Sequence, residues 1–196
     1  MGYNERMARA MQFEQWVIEY LRSRPAIAAV TEAGAGVRSN AFQRELTRLT
    51  SPQARLHRYH PDGQYIIKDQ VVYFDSKTGL TLERDAYLSY LYYRKVFRSH
   101  VVLFVWYDEW AYWQYINQIA FRDSAAIVAQ FPPEQQLPVD EDNWIHPRHA
   151  KRDHIKKDMS GTPYAYLQKD CLRPLCKCTE NELQSMAIPI QVPVNL

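Results

Sequence analysis

The feature that most constrains the fold is a pair of short apolar runs joined by three polar residues. Residues 65–67 and 71–74 are β-branched and aromatic, and Lys68-Asp69-Gln70 separates them. Such runs around a short polar segment predict the two antiparallel strands of a β-hairpin. The second run continues directly into Asp75-Ser76-Lys77, and Asp62 precedes the first. The predicted hairpin therefore decides where these charged side chains lie.

The two aspartates are expected to lie close together because the hairpin brings its strands side by side. Two neighbouring carboxylates favour a hard cation such as Mg²⁺ or Mn²⁺, and without a cation they repel each other. Lys77 follows Asp75 by two residues, so both side chains point to one face of the strand. Two carboxylates, a metal and a lysine suit phosphodiester hydrolysis, in which the metal activates water and the lysine orients it or stabilises negative charge.

An amphipathic helix is predicted for residues 5–23, before Pro25, from the spacing of its apolar residues. The predicted apolar face holds Met7, Ala10, Met11, Val17, Ile18 and Leu21. Glu14 falls on that face, where a carboxylate is costly unless it meets a partner. A metal centre would supply that partner. The alternative is a glutamate at the edge of the face whose carboxylate reaches water.

The remaining pattern predicts an α/β fold with a mixed central sheet flanked by helices. We expect a second helix within residues 40–49, a helix at 82–98, a buried strand at 100–107 and another helix at about 109–130. Residues 132–196 hold eight of the eleven prolines and all three cysteines. The predicted division is a core of residues 1–131 and an irregular Pro-rich extension of residues 132–196 that packs on it.

The motif residues resemble those of a known superfamily. Pro61-Asp62, a twelve-residue spacer and Asp75-Ser76-Lys77 are similar to the motif of the PD-(D/E)XK nucleases. The segment Phe13-Glu14-Gln15-Trp16-Val17 looks like the first motif of that superfamily, a helical glutamate ahead of the hairpin. The predicted order of elements over residues 5–125 also agrees with its αβββαβ core.

The resemblance implies a restriction-endonuclease-like fold and a metal-dependent nuclease. Asp62 and Asp75 would be metal ligands, Glu14 a further ligand, direct or through water, and Lys77 the catalytic lysine. The backbone carbonyl of Ser76 would also face the metal. The expected substrate is DNA, with RNA left open. Endonuclease action is expected, and a homodimer would suit it because a duplex has two strands to cut.

A basic segment is the best local candidate for binding phosphates. Residues 144–157 carry five Lys or Arg and three His against one Asp, and phosphate contacts favour such clusters. The candidate residues are Arg148, Lys151, Arg152, Lys156 and Lys157. An acidic run at 140–142 precedes them, and a merely solvated surface is an equal alternative. The predicted helix at 82–98 also interleaves basic and tyrosine residues, which would suit either a nucleic-acid surface or a packed core.

The three cysteines allow two interpretations. Cys171, Cys176 and Cys178 would form a zinc site with His146, His149 or His154 as the fourth ligand. Their spacing lacks the usual C-x2-C pairs, so reduced structural cysteines are favoured. An odd number of cysteines does not describe a disulfide framework, and we expect a reducing, cytoplasmic setting.

Several function classes find little support in the sequence. The formal charge of +2 is too small to indicate a polyanionic partner by itself. No apolar run reaches the roughly 18 residues that a membrane span requires, and no phosphate-binding glycine loop is present.

Three alternatives to a nuclease remain. In the first, the charged residues of the hairpin are solvated and have no function. In the second, the chain is a non-catalytic nucleic-acid-binding or assembly protein with a nuclease fold. In the third, it is a structural domain with a zinc-bound tail.

Overall fold

The computed structural model describes residues 3–32, 51, 59–147 and 162–185. The helix predicted within residues 40–49 lies outside these ranges. The helices and strands follow in the order α1 (Tyr3–Arg22), β1 (Ile27–Glu32), β2 (Gly63–Ile67), β3 (Gln70–Thr78), β4 (Thr81–Glu83), α2 (Arg84–Phe97), β5 (His100–Tyr107), β6 (Trp110–Tyr115), α3 (Ser124–Val128), β7 (Tyr164–Tyr166), β8 (Arg173–Lys177) and α4 (Glu180–Ser185).

The predicted fold class is confirmed, because a mixed sheet forms the centre of the described structure. Its six strands lie in the order β1-β2-β3-β5-β6-β8. Strands β3 and β5 are parallel, and the other neighbouring pairs are antiparallel. Helix α2 makes the crossover that two successive parallel strands need. Among the described elements, and apart from β4 in a separate two-stranded sheet, the succession α1, β1, β2, β3, α2, β5 matches the αβββαβ order that the resemblance implies.

The predicted hairpin is present as β2 and β3. Its two-residue turn consists of Lys68 and Asp69, with φ angles of 49° and 60°. Positive φ at both central residues is typical of the type I′ turn, whose twist matches that of the flanking strands. The turn fixes the register that pairs Ile67 with Gln70 and Gly63 with Phe74.

Two apolar layers cover the two faces of the sheet. Helix α1 packs on one face, where Val102, Phe104 and Trp106 of β5 point. Helix α2 packs on the other, against Val101, Leu103 and Val105 of the same strand. Strand β5 is therefore buried on both sides, which explains its almost continuous apolar sequence.

Helix α1 confirms the predicted helix and half of its predicted apolar face, since Val17, Ile18 and Leu21 are buried. Phe13, Trp16 and Tyr20 are buried, whereas Met7 and Met11 are 45% and 63% exposed. The large aromatic side chains stack along the helix and bury more apolar area than the methionines would. The buried face therefore includes aromatic residues that the aliphatic spacing did not predict, and it leaves out Met7 and Met11.

The helix predicted for residues 109–130 is wrong. Residues 110–115 form strand β6, which pairs antiparallel with β5. A two-residue turn of Asp108 and Glu109, both with positive φ, joins the strands. The aromatic residues of this stretch pack well on a pleated surface, and pairing with β5 outweighs any helical preference. Only a short 3-10 turn, Ile116–Gln118, and the five-residue α3 follow.

The described part of the C-terminal segment packs on the core, and some of it is regular. Strand β8 pairs with β6 at the edge of the central sheet, and β7 pairs with β4 in a small second sheet. Helix α4 lies against α1, where Arg9 and Glu180 form an ion pair at 3.2 Å. The domain boundary at residue 131 stays a prediction. Within the described residues, no helix is long and apolar enough to cross a membrane.

Candidate active site

The candidate site lies where β3 continues beyond the start of β2. Gly63, the first residue of β2, pairs with Phe74, so the next step in this register places Asp62 opposite Asp75. Residues 75–78 of β3 pair with β5 on their other side. The hairpin therefore brings the two aspartates together, as the sequence predicts.

Asp62 is held by the strand residue that follows Asp75. The Ser76 backbone N–H donates to Asp62 Oδ2 at 2.8 Å, and the Ser76 hydroxyl donates to the same oxygen at 2.7 Å. The carboxylate thus accepts the N–H bond that a neighbouring strand would otherwise take. Both donors use Oδ2, so Oδ1 takes no part in these two bonds.

Asp75 and Lys77 form an ion pair on the α2 face of β3. Lys77 Nζ lies 2.5 Å from Asp75 Oδ2, and it also donates to the Ser76 carbonyl at 3.4 Å. Asp75 is only 2% exposed. Burial, followed by the negative charge of Asp62, raises the pKa of Asp75 to about 6, although Lys77 and a hydrogen bond from Tyr90 oppose this.

Lys77 carries a positive charge in this setting. Its burial works to lower the pKa of the ammonium group, but the carboxylates of Asp75 and Asp62 outweigh that effect and raise the pKa above its ordinary value. Lys77 is therefore a proton donor in hydrogen bonds at neutral pH and is unsuited to accept a proton.

Glu14 of α1 belongs to the same electrostatic cluster. Its carboxyl is partly buried, and its pKa rises to about 7 through burial and then through the charges of Asp62, Asp75 and Glu32, against the opposing effect of Lys77. The structure thus groups the helical glutamate with the hairpin residues. The roles of Glu14, Asp62, Asp75 and Lys77 stay predictions.

The charge of this cluster fits a hard divalent cation. Three carboxylates share one ammonium group, and burial, followed by the charges of the neighbouring carboxylates, raises the pKa values of Glu14 and Asp75. Oxygen ligands of this kind are those that Mg²⁺ and Mn²⁺ take. In the described ranges, however, no three His, Cys, Asp or Glu side chains are already arranged to hold an ion. Asp75 turns to Lys77 and Asp62 turns to Ser76, so these side chains would have to reorient.

Two further residues of this neighbourhood were not identified from the sequence. Tyr90 of α2 is buried, and its hydroxyl hydrogen-bonds to Asp75. Glu83, just before α2, adds a negative charge that raises the pKa of Lys77. Helical spacing alone does not separate Tyr90 from the other tyrosines of this helix, and the crossover that places Tyr90 over β3 is a tertiary feature.

Helix α2 also holds the chain that leads into Asp62. The Ser89 hydroxyl donates to the Tyr59 carbonyl at 3.0 Å, and the rings of His60 and Tyr93 meet edge to face at 5.1 Å. Helix α2 therefore supports both aspartates, Asp75 through Tyr90 and Asp62 through the preceding segment.

Gly63 allows the strands to approach closely beside Asp62. A Cβ atom at this position would lie 2.6 Å from the Phe74 ring and 2.6 Å from the Thr31 carbonyl oxygen. Any larger residue would push β1 or Phe74 away. Gly63 is therefore required by the packing of β1 against β2 and β3.

The other candidate residues that the structure describes lie outside this cluster. Arg148, Lys151, Arg152, Lys156 and Lys157 lie outside the described residues. His146 pairs with Asp140, with Nε2 at 2.9 Å from Oδ2. Cys176 and Cys178 are in the α1 layer and Cys171 is beside the α2 layer. The sheet therefore separates Cys171 from the other two, which removes the basis for a zinc site shared by all three.

Comparison with known proteins adds little to this geometry. No protein-family model matches the chain, and no curated protein matches its sequence. Among solved structures, the chain is similar to a Holliday junction resolvase from Archaeoglobus fulgidus. The two share 14% identity with a TM-score of 0.37 over 56% of this chain and 77% of that one. A similarity this low carries no argument about function. The fold assignment rests on strand order and on the placement of the motif residues.

Proposed function

We propose that this protein is a metal-dependent nuclease that hydrolyses phosphodiester bonds within DNA. The observation that carries the proposal is the continued β2–β3 register. It places Asp62 opposite Asp75, beside the Lys77 ammonium group and within the electrostatic reach of Glu14. Two opposed carboxylates destabilise a sheet, so a functional requirement explains them better than folding does.

Each residue of the cluster has a distinct part in this proposal. Asp62, Asp75 and Glu14, with the Ser76 carbonyl, would hold Mg²⁺ or Mn²⁺. When bound, the cation supplies Lewis acidity and a lowered pKa for its water. Lys77 orients the attacking water or stabilises the charge that develops on the phosphate. The raised pKa of Lys77 makes it a hydrogen-bond donor in this role and not a general base.

The electrostatics suggest an order of binding. Without a cation, the carboxylates of Glu14, Asp62 and Asp75 would repel a phosphate. A bound divalent ion offsets the negative charge that the three carboxylates leave beyond the Lys77 ammonium group. We therefore expect the metal to be needed for DNA to enter the site productively. The basic segment around Lys151 and Arg152 stays a prediction for contacts with the DNA backbone, and the cytoplasmic location stays a prediction as well.

A non-catalytic nucleic-acid-binding or assembly protein is the second candidate. The observation that favours it is the close ion pair between Asp75 and Lys77, because each satisfies the charge of the other. In this alternative the site would be a structural remnant of a nuclease fold, and a divalent cation would not be required.

A cleavage assay with matched variants distinguishes the two candidates. Supercoiled plasmid, branched DNA and RNA would be incubated with the protein in Mg²⁺, Mn²⁺ or EDTA. Asp75→Asn removes one predicted ligand, and Asp69→Asn changes an exposed aspartate in the turn of the same hairpin. Metal-dependent cleavage that is lost only with Asp75→Asn supports the nuclease. Binding without cleavage of any substrate supports the non-catalytic candidate.

A further inference from the structure

The outer face of α2 exposes an apolar stripe. Leu88, Tyr92 and Val96 are 49%, 44% and 49% exposed, and they follow each other at intervals of four residues. This spacing places them on one side of the helix, away from Ala86 and Tyr90, which face the sheet. Contiguous apolar residues on a surface helix are typical of an interaction site.

The charges around this stripe make it complementary to itself. Asp85, Leu88, Tyr92 and Lys95, which we call the α2 seam, are spaced by three, four and three residues. This alternation keeps side chains on the line along which two helices pack. When a second α2 runs in the opposite direction, Asp85 lies opposite Lys95 of the copy, and Leu88 lies opposite Tyr92 of the copy. Opposite charges then face each other at both ends of the helix pair.

We propose that the α2 seam is a docking surface for a second copy of this chain, with the two helices packed antiparallel about a two-fold axis. In the described part of the chain, neither Asp85 nor Lys95 forms an ion pair. Both charges are therefore available to the partner. The proposal concerns this surface alone and does not depend on nuclease activity.

Nucleic acid is a poorer match for the seam. Its centre is apolar and one of its ends is acidic, whereas a phosphate backbone favours continuous basic residues. A second copy also accounts for the symmetric spacing, which an unrelated partner would not require. Two helix faces alone bury less than the roughly 1,200 Å² of total area typical of stable interfaces. We therefore expect a reversible dimer whose population depends on protein concentration.

Charge reversal at the seam tests the arrangement. Sedimentation velocity would be measured over a series of concentrations for wild type, Asp85→Lys, Lys95→Asp and the double variant. Each single variant places two pairs of like charges in the dimer. We expect each to raise the dimer Kd by about tenfold or more. The double variant restores opposite charges at both ends, and we expect its Kd to return towards that of wild type.

Controls separate this effect from changes in folding or net charge. Asp85→Lys also removes a favourable acid from the first turn of the helix, but the double variant shares that loss. Glu141→Lys makes the same change of charge at an exposed site outside the α2 seam, and it should leave the Kd unchanged. Far-UV circular dichroism would verify that each variant is folded. A monomer at every concentration, or a dimer equally stable in both single variants, would overturn the proposal.

Discussion

Replacing Glu14 by glutamine should make the protein more stable in the absence of metal. The Glu14 pKa rises from its ordinary value of 4.5 to about 7 in the folded protein. At about 1.4 kcal/mol for each pH unit between these values, the ionised carboxyl disfavours folding by up to about 3 kcal/mol above pH 7. Because Glu14 is only partly buried and water screens part of the repulsion, we expect Glu14→Gln to gain about 1–2 kcal/mol at pH 8.

The gain should disappear in acid, and this pH dependence is the sharper test. As the pH falls through 7, folded wild type takes up a proton at Glu14 that the unfolded chain does not hold. The protonated Glu14 side chain of wild type no longer carries the charge that disfavours folding. The stability advantage of Glu14→Gln therefore falls below about 0.5 kcal/mol by pH 4.5.

Urea denaturation in EDTA at several pH values gives the free energies of unfolding. Glu19→Gln is the control, because Glu19 pairs with Arg22 at 2.7 Å and lies outside the cluster. This control should show no gain at any pH. A Glu14→Gln variant less stable than wild type at pH 8 would show that burial and the neighbouring carboxylates do not disfavour the ionised Glu14 side chain.

Three further predictions follow from the same geometry. Ser76→Ala removes the hydroxyl that holds Asp62, so we expect a loss of about 1 kcal/mol in the free energy of unfolding and about tenfold slower cleavage; unchanged cleavage would show that this bond does not orient Asp62. Gly63→Ala introduces a Cβ into the contact with Phe74, and chemical denaturation should show a loss of about 1–3 kcal/mol, whereas wild-type stability would mean that the strands can separate locally. Metal-dependent cleavage should decline as the pH falls through 7 and 6, because Glu14 and Asp75 take up protons and lose affinity for the cation; full activity at pH 5 would contradict a carboxylate-held metal.

The local chemistry of the hairpin made much of the site predictable from the sequence. The apolar runs predict β2 and β3, and the alternation of a strand places Asp75 and Lys77 on one face. The position of Asp62 follows from the register that the two-residue turn imposes. Glu14 was harder, because the buried face of α1 includes Phe13, Trp16 and Tyr20 as well as the aliphatic residues that indicated it. Its grouping with the aspartates depends on how α1 crosses the sheet.

What the sequence did not predict depends on contacts between distant segments. Strand β6 follows a turn of Asp108 and Glu109, which lacks the Asn-Gly or Asp-Gly signal typical of a hairpin. Its aromatic sequence fits a helix or a strand until β5 is in place beside it. Tyr90 meets Asp75 only because α2 crosses over β3. Strand β8 joins the sheet from a Pro-rich segment, where local patterns give little indication of a strand.

The central claim is that Lys77 is a catalytic residue beside a metal held by carboxylates. The most direct measurement is the single-turnover rate of DNA cleavage in Mn²⁺ for wild type, Lys77→Met and Lys68→Met. Lys68 is an exposed lysine in the turn of the same hairpin. The Lys68→Met variant therefore loses the same positive charge as Lys77→Met, but outside the candidate site. We predict that Lys77→Met abolishes cleavage while Lys68→Met retains it. Cleavage that persists in Lys77→Met at the wild-type rate would show that the chemistry lies elsewhere.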